Sequence, residues 1–220
     1  MNGYRYMTLA AALAAGTMLA AGGASAQGFM NSGQWYLKGF GGATWPQDQS
    51  GDVNDRGSFL TDGDASYDTG YVLGAAVGYD YTPNFGLELE YAYRNADTTT
   101  DLSGVGEFGG STNSNAVMLN ALYKFNGMGA GGAVQPYVGG GVGWANMESD
   151  IDDIGSFKRD NALAWQLIGG VGYAVNPNWS VVGEVRYFAT DSGTLDGPDN
   201  LSWDAQVETV DLLLGAVYKF

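Results

Sequence analysis

The chain has 220 residues, with 24 acidic against 9 basic side chains, a formal net charge of -15, no cysteine and no histidine. Disulfides, thiolate metal sites and every catalytic scheme that turns on imidazole are excluded, and so acidic a chain will not bind nucleic acid by neutralising phosphates. Glycine is abundant at 36 residues and aromatics reach 13%, a mixture that suits strands and tight turns but not helices, where each glycine costs about 1 kcal/mol against alanine.

The chain opens with Arg5, an apolar stretch from Met7 to Ala21, and Ala24-Ser25-Ala26. This order predicts a signal peptide over residues 1–26, cleaved before Gln27. Beyond it no apolar run reaches the roughly 18 residues that a membrane-spanning helix needs.

Residues 27–220 read as one domain of eight alternating segments: 34–45, 67–81, 85–96, 114–126, 134–146, 161–175, 179–190 and 206–220. Successive side chains of a strand point to opposite faces. In the third segment Phe85, Leu87, Leu89, Tyr91 and Tyr93 therefore oppose Gly86, Glu88, Glu90, Ala92 and Arg94. In the seventh, Trp179, Val181, Gly183, Val185 and Tyr187 oppose Ser180, Val182, Glu184, Arg186 and Phe188. The last segment sets Val210, Leu212, Leu214, Ala216, Tyr218 and Phe220 against Thr209, Asp211, Leu213, Gly215, Val217 and Lys219. A soluble barrel turns such an apolar face inward; a membrane barrel turns it toward lipid.

The connections alternate in length. Thr82-Pro83-Asn84, the stretch Gly127 to Ala133, and Asn176-Pro177-Asn178 are short, and Pro-Asn pairs are turn chemistry. Residues 46–66, 97–113, 147–160 and 191–205 read as long loops. An even strand count with short turns at one rim and long loops at the other predicts an eight-stranded antiparallel up-and-down transmembrane β-barrel. Aromatics crowd both strand ends. Tyr79, Tyr81, Phe85, Tyr123, Phe125, Tyr173, Trp179, Tyr218 and Phe220 lie toward the short turns. Trp45, Tyr67, Tyr71, Tyr93, Trp144, Trp165 and Tyr187 lie toward the long loops. Two such girdles are what headgroup interfaces select.

The inward phase collects Lys38, Asp80, Glu88, Glu90, Arg94, Lys124, Glu184, Arg186, Asp211 and Lys219, five acids and five bases. Two readings of this set stay open. It forms a salt-bridge core that holds the barrel rigid, or it gates a narrow ion path, with Glu90, Glu184, Arg94 and Arg186 as the switch. An eight-stranded barrel has room only for side chains, so a solute-sized pore is not expected. The long loops hold Asp48, Asp52, Asp55, Asp62, Asp64, Glu148, Asp150, Asp152, Asp153, Asp191, Asp196 and Asp199. They read as solvated loops; none matches a full calcium-loop spacing, so no metal site is assigned. No cofactor is expected, and no carboxylate pair stands out as catalytic, so the chain is not read as an enzyme. Gly139 to Gly143 lies inside a strand pattern, which argues against a nucleotide loop. An echo at a spacing of about 94 residues relates Gly78-Tyr79, Pro83-Asn84-Phe85, Glu90 and Tyr93 to Gly172-Tyr173, Pro177-Asn178-Trp179, Glu184 and Tyr187.

Taken in order, Trp35-Tyr36-Leu37-Lys38-Gly39, Gly78-Tyr79, Gly86-Leu87-Glu88-Leu89-Glu90-Tyr91, Pro136 to Gly143, Gly172-Tyr173 and the terminal Tyr218-Lys219-Phe220 resemble the outer-membrane protein A-type and opacity-type family of small bacterial β-barrels. The resemblance implies a Gram-negative source and an outer-membrane location. It implies lipid, lipopolysaccharide and the barrel-assembly machinery as partners, with Tyr218 and Phe220 as the assembly signal. It implies a structural or surface-interaction role, as adhesin or antigen, through acidic extracellular loops. A narrow gated channel is the first alternative, and a soluble periplasmic lipocalin-like carrier with its faces reversed is the second. The two-domain members carry a peptidoglycan-binding domain that this sequence is expected to lack.

Overall fold

The computed structural model describes residues 33–47, 49–55, 58–102, 106–151, 155–191, 193–196, 201–205 and 207–220. The leader expected over 1–26 lies outside them. Twelve strands form one antiparallel sheet: β1 (Gln34–Pro46), β2 (Gln49–Asp55), β3 (Ser58–Tyr67), β4 (Gly70–Asp80), β5 (Phe85–Leu102), β6 (Gly106–Lys124), β7 (Val134–Ile151), β8 (Gly155–Ala174), β9 (Trp179–Thr190), β10 (Gly193–Asp196), β11 (Leu201–Ala205) and β12 (Glu208–Lys219). Eight of them close a ring. It runs β1, β4, β5, β6, β7, β8, β9, β12 and back to β1. The closing seam registers Tyr36 with Lys219 at one end and Pro46 with Thr209 at the other. This is the barrel that the alternation predicts, and each of its eight strands overlaps one predicted segment.

The long connections depart from expectation. Most of residues 46–66, 97–113, 147–160 and 191–205 is strand rather than loop. β5, β6, β7 and β8 hold 18, 19, 18 and 20 residues, against the 9–11 or so that a tilted strand needs to cross a bilayer. β3, β2, β11 and β10 continue the wall above β4, β1, β12 and β9, and β10 rejoins β8 through the single pair Asp196–Lys158. The reason is physical. Beyond the membrane neither face of a strand must be greasy, so apolar alternation stops while ladder hydrogen bonding continues. Thr98-Thr99-Thr100 facing Phe108-Gly109-Gly110 is such a stretch.

The faces fall as a membrane barrel requires. Glu90 is 1% exposed and Arg186 fully buried, whereas Leu212 is 53% exposed and Leu214 65%. Val181, Leu89, Leu119 and Leu167 also face outward. The reversed, lipocalin-like arrangement is overturned by this placement. Room inside comes from glycine. Gly78, Gly74 and Gly170 stand opposite Tyr36, Phe40 and Tyr137 across the ladder. A Cβ on each would come within 2.1, 2.3 and 2.4 Å of those rings, so each ring lies over the backbone of its bare neighbour.

Candidate functional site

The lumen is filled by three layers of charge. The layer nearest the short turns holds Asp80 between two lysines. Lys124 Nζ donates to Oδ1 and Lys219 Nζ donates to Oδ2 at 3.1 Å. Tyr36 lies beneath the Lys124 ammonium, 4.7 Å from ring centre to nitrogen. The turns set this layer. Asn84 Nδ2 donates to the Lys124 carbonyl and Asn178 Nδ2 to the Lys219 carbonyl, at 2.7 and 3.0 Å. The lysine amides return the bond to the two asparagine carbonyls, both at 2.8 Å. The 94-residue echo is thus a repeated turn that anchors the next strand through a lysine.

The middle layer joins three glutamates to two cations. Lys38 Nζ reaches Glu88 at 2.6 Å and Glu184 at 3.1 Å. Arg186 donates from Nη1 to Glu90 at 2.7 Å and from Nε to Glu184 at 2.8 Å. Glu184 and Arg186 sit two apart on β9, so both point inward. Neutral donors complete the carboxylates: Tyr36 Oη to Glu88 at 3.0 Å, Tyr137 Oη to Glu184 at 2.6 Å, Asn120 Nδ2 to Glu90 at 3.0 Å. Gln166 Nε2 donates to Asn120 Oδ1 at 2.7 Å, and the Arg186 guanidinium lies 4.4 Å from the Phe40 ring centre. In the third layer Arg94 donates from Nε and Nη2 to Asp211 Oδ2, at 3.1 and 2.9 Å. Thr44 and Thr209 donate to Oδ1, at 2.6 and 3.0 Å. The Arg94 guanidinium is stacked 4.1 Å from the centre of Phe188.

All ten predicted inward charges are buried, and every one is ion-paired. Of the four residues singled out as a switch, Glu90, Glu184 and Arg186 meet. Arg94 stands apart with Asp211. Sequence reasoning passed over the neutral members Tyr36, Tyr137, Asn120, Gln166, Thr44 and Thr209. Their signal was present for four of them: Tyr36 and Thr44 share a phase with Lys38, Asn120 with Lys124 and Thr209 with Asp211, where a purely apolar or glycine filling would otherwise serve, whereas Tyr137 and Gln166 lie on strands with no predicted inward charge. An unpaired buried charge costs several kcal/mol, so hydrogen bonds that satisfy the remaining lone pairs are part of the same requirement.

The aromatics expected at the two rims point outward where their side chains are described. Tyr81, Phe85, Tyr173, Trp179 and Phe220 are exposed near the short turns and Tyr79 is half-buried there. Ring pairs link Tyr79 with Tyr81 and Tyr218 with Phe220. Trp45, Tyr71, Trp144 and Trp165 are exposed toward the long hairpins. The Tyr67 side chain lies outside what is described. Gly139 to Gly143 runs within β7 and forms no phosphate loop. The acids assigned to loops are largely strand residues by backbone: Asp52 and Asp55 in β2, Asp62 and Asp64 in β3, Glu148 and Asp150 in β7, Asp196 in β10. Asp191 pairs with Arg159 at 2.9 Å. Asp48, Asp152, Asp153 and Asp199 lie outside the described residues. Among the described residues no cluster of three or more acids could hold a metal ion.

A closed antiparallel ring, apolar outside, belted by aromatics and ion-paired within, defines a membrane-spanning β-barrel. The chain belongs to the outer membrane protein beta-barrel domain family, which matches residues 8–220, and it resides in the outer membrane. It is 31% identical to outer membrane porin F of Pseudomonas fluorescens over 127 residues, 58% of this chain. The chain spans 37% of that relative's length. Among solved structures, OprG of Pseudomonas aeruginosa superposes with a TM-score of 0.67 at 22% identity, over 87% of this chain and 97% of that one. The outer membrane protein AlkL, solved in lipid bilayers, gives 0.51 at 25% identity, over 91% and 93%.

Proposed function

We propose that the protein is a closed-lumen barrel with a structural and surface-interaction role, non-enzymatic, whose acidic upper wall meets partners outside the cell. One observation carries this reading: ion-paired side chains fill the lumen in three successive layers, so the interior serves rigidity while the extended hairpins offer surface. Lipopolysaccharide around the girdles and the assembly machinery, reading Tyr218 and Phe220, complete the proposed partners. The leader over 1–26 is removed before Gln27, which N-terminal mass spectrometry of the membrane-extracted protein checks. Purified barrel in planar bilayers is expected to stay silent across voltage and pH, and limited proteolysis of intact cells is expected to clip the long-hairpin rim alone. Steady single-channel steps would replace this reading with a channel.

A narrow gated channel is the second reading, favoured by the way Lys38 and Arg186 share Glu184 while each holds another glutamate. Partner exchange within that set is the gating motion. Glu184→Gln is the discriminating variant: conductance that appears in it and not in the parent supports the gate.

A further inference from the structure

On the outer face, the apolar phase of β5 and β6 gives way to amides toward the long hairpins. Leu119 and Val117 are exposed to lipid. Asn115 and Asn113 follow them on the same phase of β6 and are half-buried. Tyr93 stands opposite Asn115 in the ladder, and Asn95 opposite Asn113. The tyrosines do not bond straight across. Tyr91 Oη donates to Asn115 Oδ1 at 2.5 Å and Tyr93 Oη to Asn113 Oδ1 at 2.7 Å, each reaching two positions further toward the hairpin. Asn95 Nδ2 donates to the same Asn113 oxygen at 2.6 Å. A phenol that leans this way keeps its ring in hydrocarbon and its hydroxyl at the interface. The two asparagines therefore sit at headgroup depth. With their oxygens engaged, the edge they leave for a ligand is N–H. Asn95 donates through its nitrogen, so its oxygen is the acceptor beside them.

We propose that this patch seats the uncharged sugar of a glycolipid in the surrounding leaflet. The proposal deepens the surface-interaction reading above and rests on it for taking the outer wall as a working surface. A sugar hydroxyl both donates and accepts, as the three asparagines together do. A phosphate mainly accepts and is held best by cations, and no cation belongs to the patch. Asp97 is the next outward residue of β5 and is exposed. Glu148 stands opposite Asn113 on β7, with Lys158 opposite it in turn on β8. The charge around the amides is thus negative on balance, which costs an anionic headgroup and leaves a neutral one unaffected. Trp144, exposed and opposite Val117 in the β6–β7 ladder, offers a ring face to the sugar's C–H edge. The same lipid's tails lie against Val117 and Leu119, a contact that a free sugar lacks.

The test uses the full 15N-labelled barrel in dodecylphosphocholine micelles, with dodecyl maltoside replacing phosphocholine detergent at constant total concentration. The readout is the side-chain amide resonances of Asn113 and Asn115, each assigned by its alanine variant. Saturable movement of both, with an about ten-fold preference for maltoside over phosphocholine, supports the proposal. In Asn113→Ala the Asn115 response is expected to weaken about five-fold, the worth of one hydrogen bond. Heat-modifiable gel mobility reports whether each variant is folded. Equal or stronger movement by dodecyl phosphate overturns the choice of a neutral headgroup. Equal movement by free maltose overturns the lipid source. No movement, a drift without saturation, or an unchanged Asn115 response in folded Asn113→Ala overturns the site and leaves a merely solvated rim. A barrel silent in planar bilayers whose amides ignore maltoside keeps the surface-interaction reading and ends this one; conductance steps end that reading whatever the amides do.

Discussion

At the scale of single residues, the lumen is a set of buried charges each held by an opposite partner. Lys38 is the clearest case, since among the described residues it is the cation that pairs directly with Glu88. Lys38→Met is expected to destabilise the barrel by about 3–5 kcal/mol, the usual result of leaving a buried carboxylate unpaired. The double variant Lys38→Met, Glu88→Gln is expected to recover most of that loss. Urea titration of the folded band in detergent checks both, and additive losses would show that the pair does not interact. The sequence made these charges legible because strand phase alone sorts Glu88 and Glu90 from Leu87 and Leu89. It did not reveal how they pair, since pairing depends on shear between strands distant in the chain. Arg94 shares a strand with Glu90 yet bonds to Asp211, 117 positions away.

At the scale of elements, strand existence was readable and strand length was not. The apolar alternation marks only the part of β5 or β6 that lipid touches. Outside the bilayer the hydrogen-bond ladder continues through Thr, Ser, Asn and Gly without a pattern to announce it. The two parts are expected to be separable in energy, because the ion-paired layers and glycine-seated rings all lie at or below the level of Thr44 and Arg94. Excision of residues 98–110, rejoining Asp97 to Ser111 with a two-residue Asn-Gly turn, is expected to leave the barrel folded and heat-modifiable. Its midpoint in urea should fall by no more than about 1 kcal/mol equivalent. Loss of the folded band would mean that the upper wall helps to hold the lower one. The turn repeat is a contrasting case. The sequence displayed the echo of Pro83-Asn84 in Pro177-Asn178, and the structure supplies its meaning: each asparagine bridges to the carbonyl of a lysine on the next strand, and both lysines converge on Asp80.

At the scale of the whole molecule, the face assignment decides everything else. Hydrocarbon surrounds one phase and ion pairs occupy the other, with Tyr36, Phe40 and Tyr137 seated over their glycines. The comparison with OprG fixes the fold on this reading. What the sequence left undecided, rigid core or gate, is a question of whether the middle layer exchanges partners, which strand phase cannot encode.

The even balance of five acids and five bases inside has a consequence for ionic strength. The chain's surplus of -15 then comes from residues outside the buried network. Mobile ions screen exposed charges beyond about 10 Å at 0.1 M salt but barely enter a buried network. The molecule therefore has two electrical compartments. Raising sodium chloride from about 0.05 to about 0.5 M is expected to leave the unfolding midpoint nearly unmoved while it abolishes adsorption of the barrel to a polycation resin. A midpoint that drifts with salt in step with desorption would mean that the inner charges feel the bulk solution.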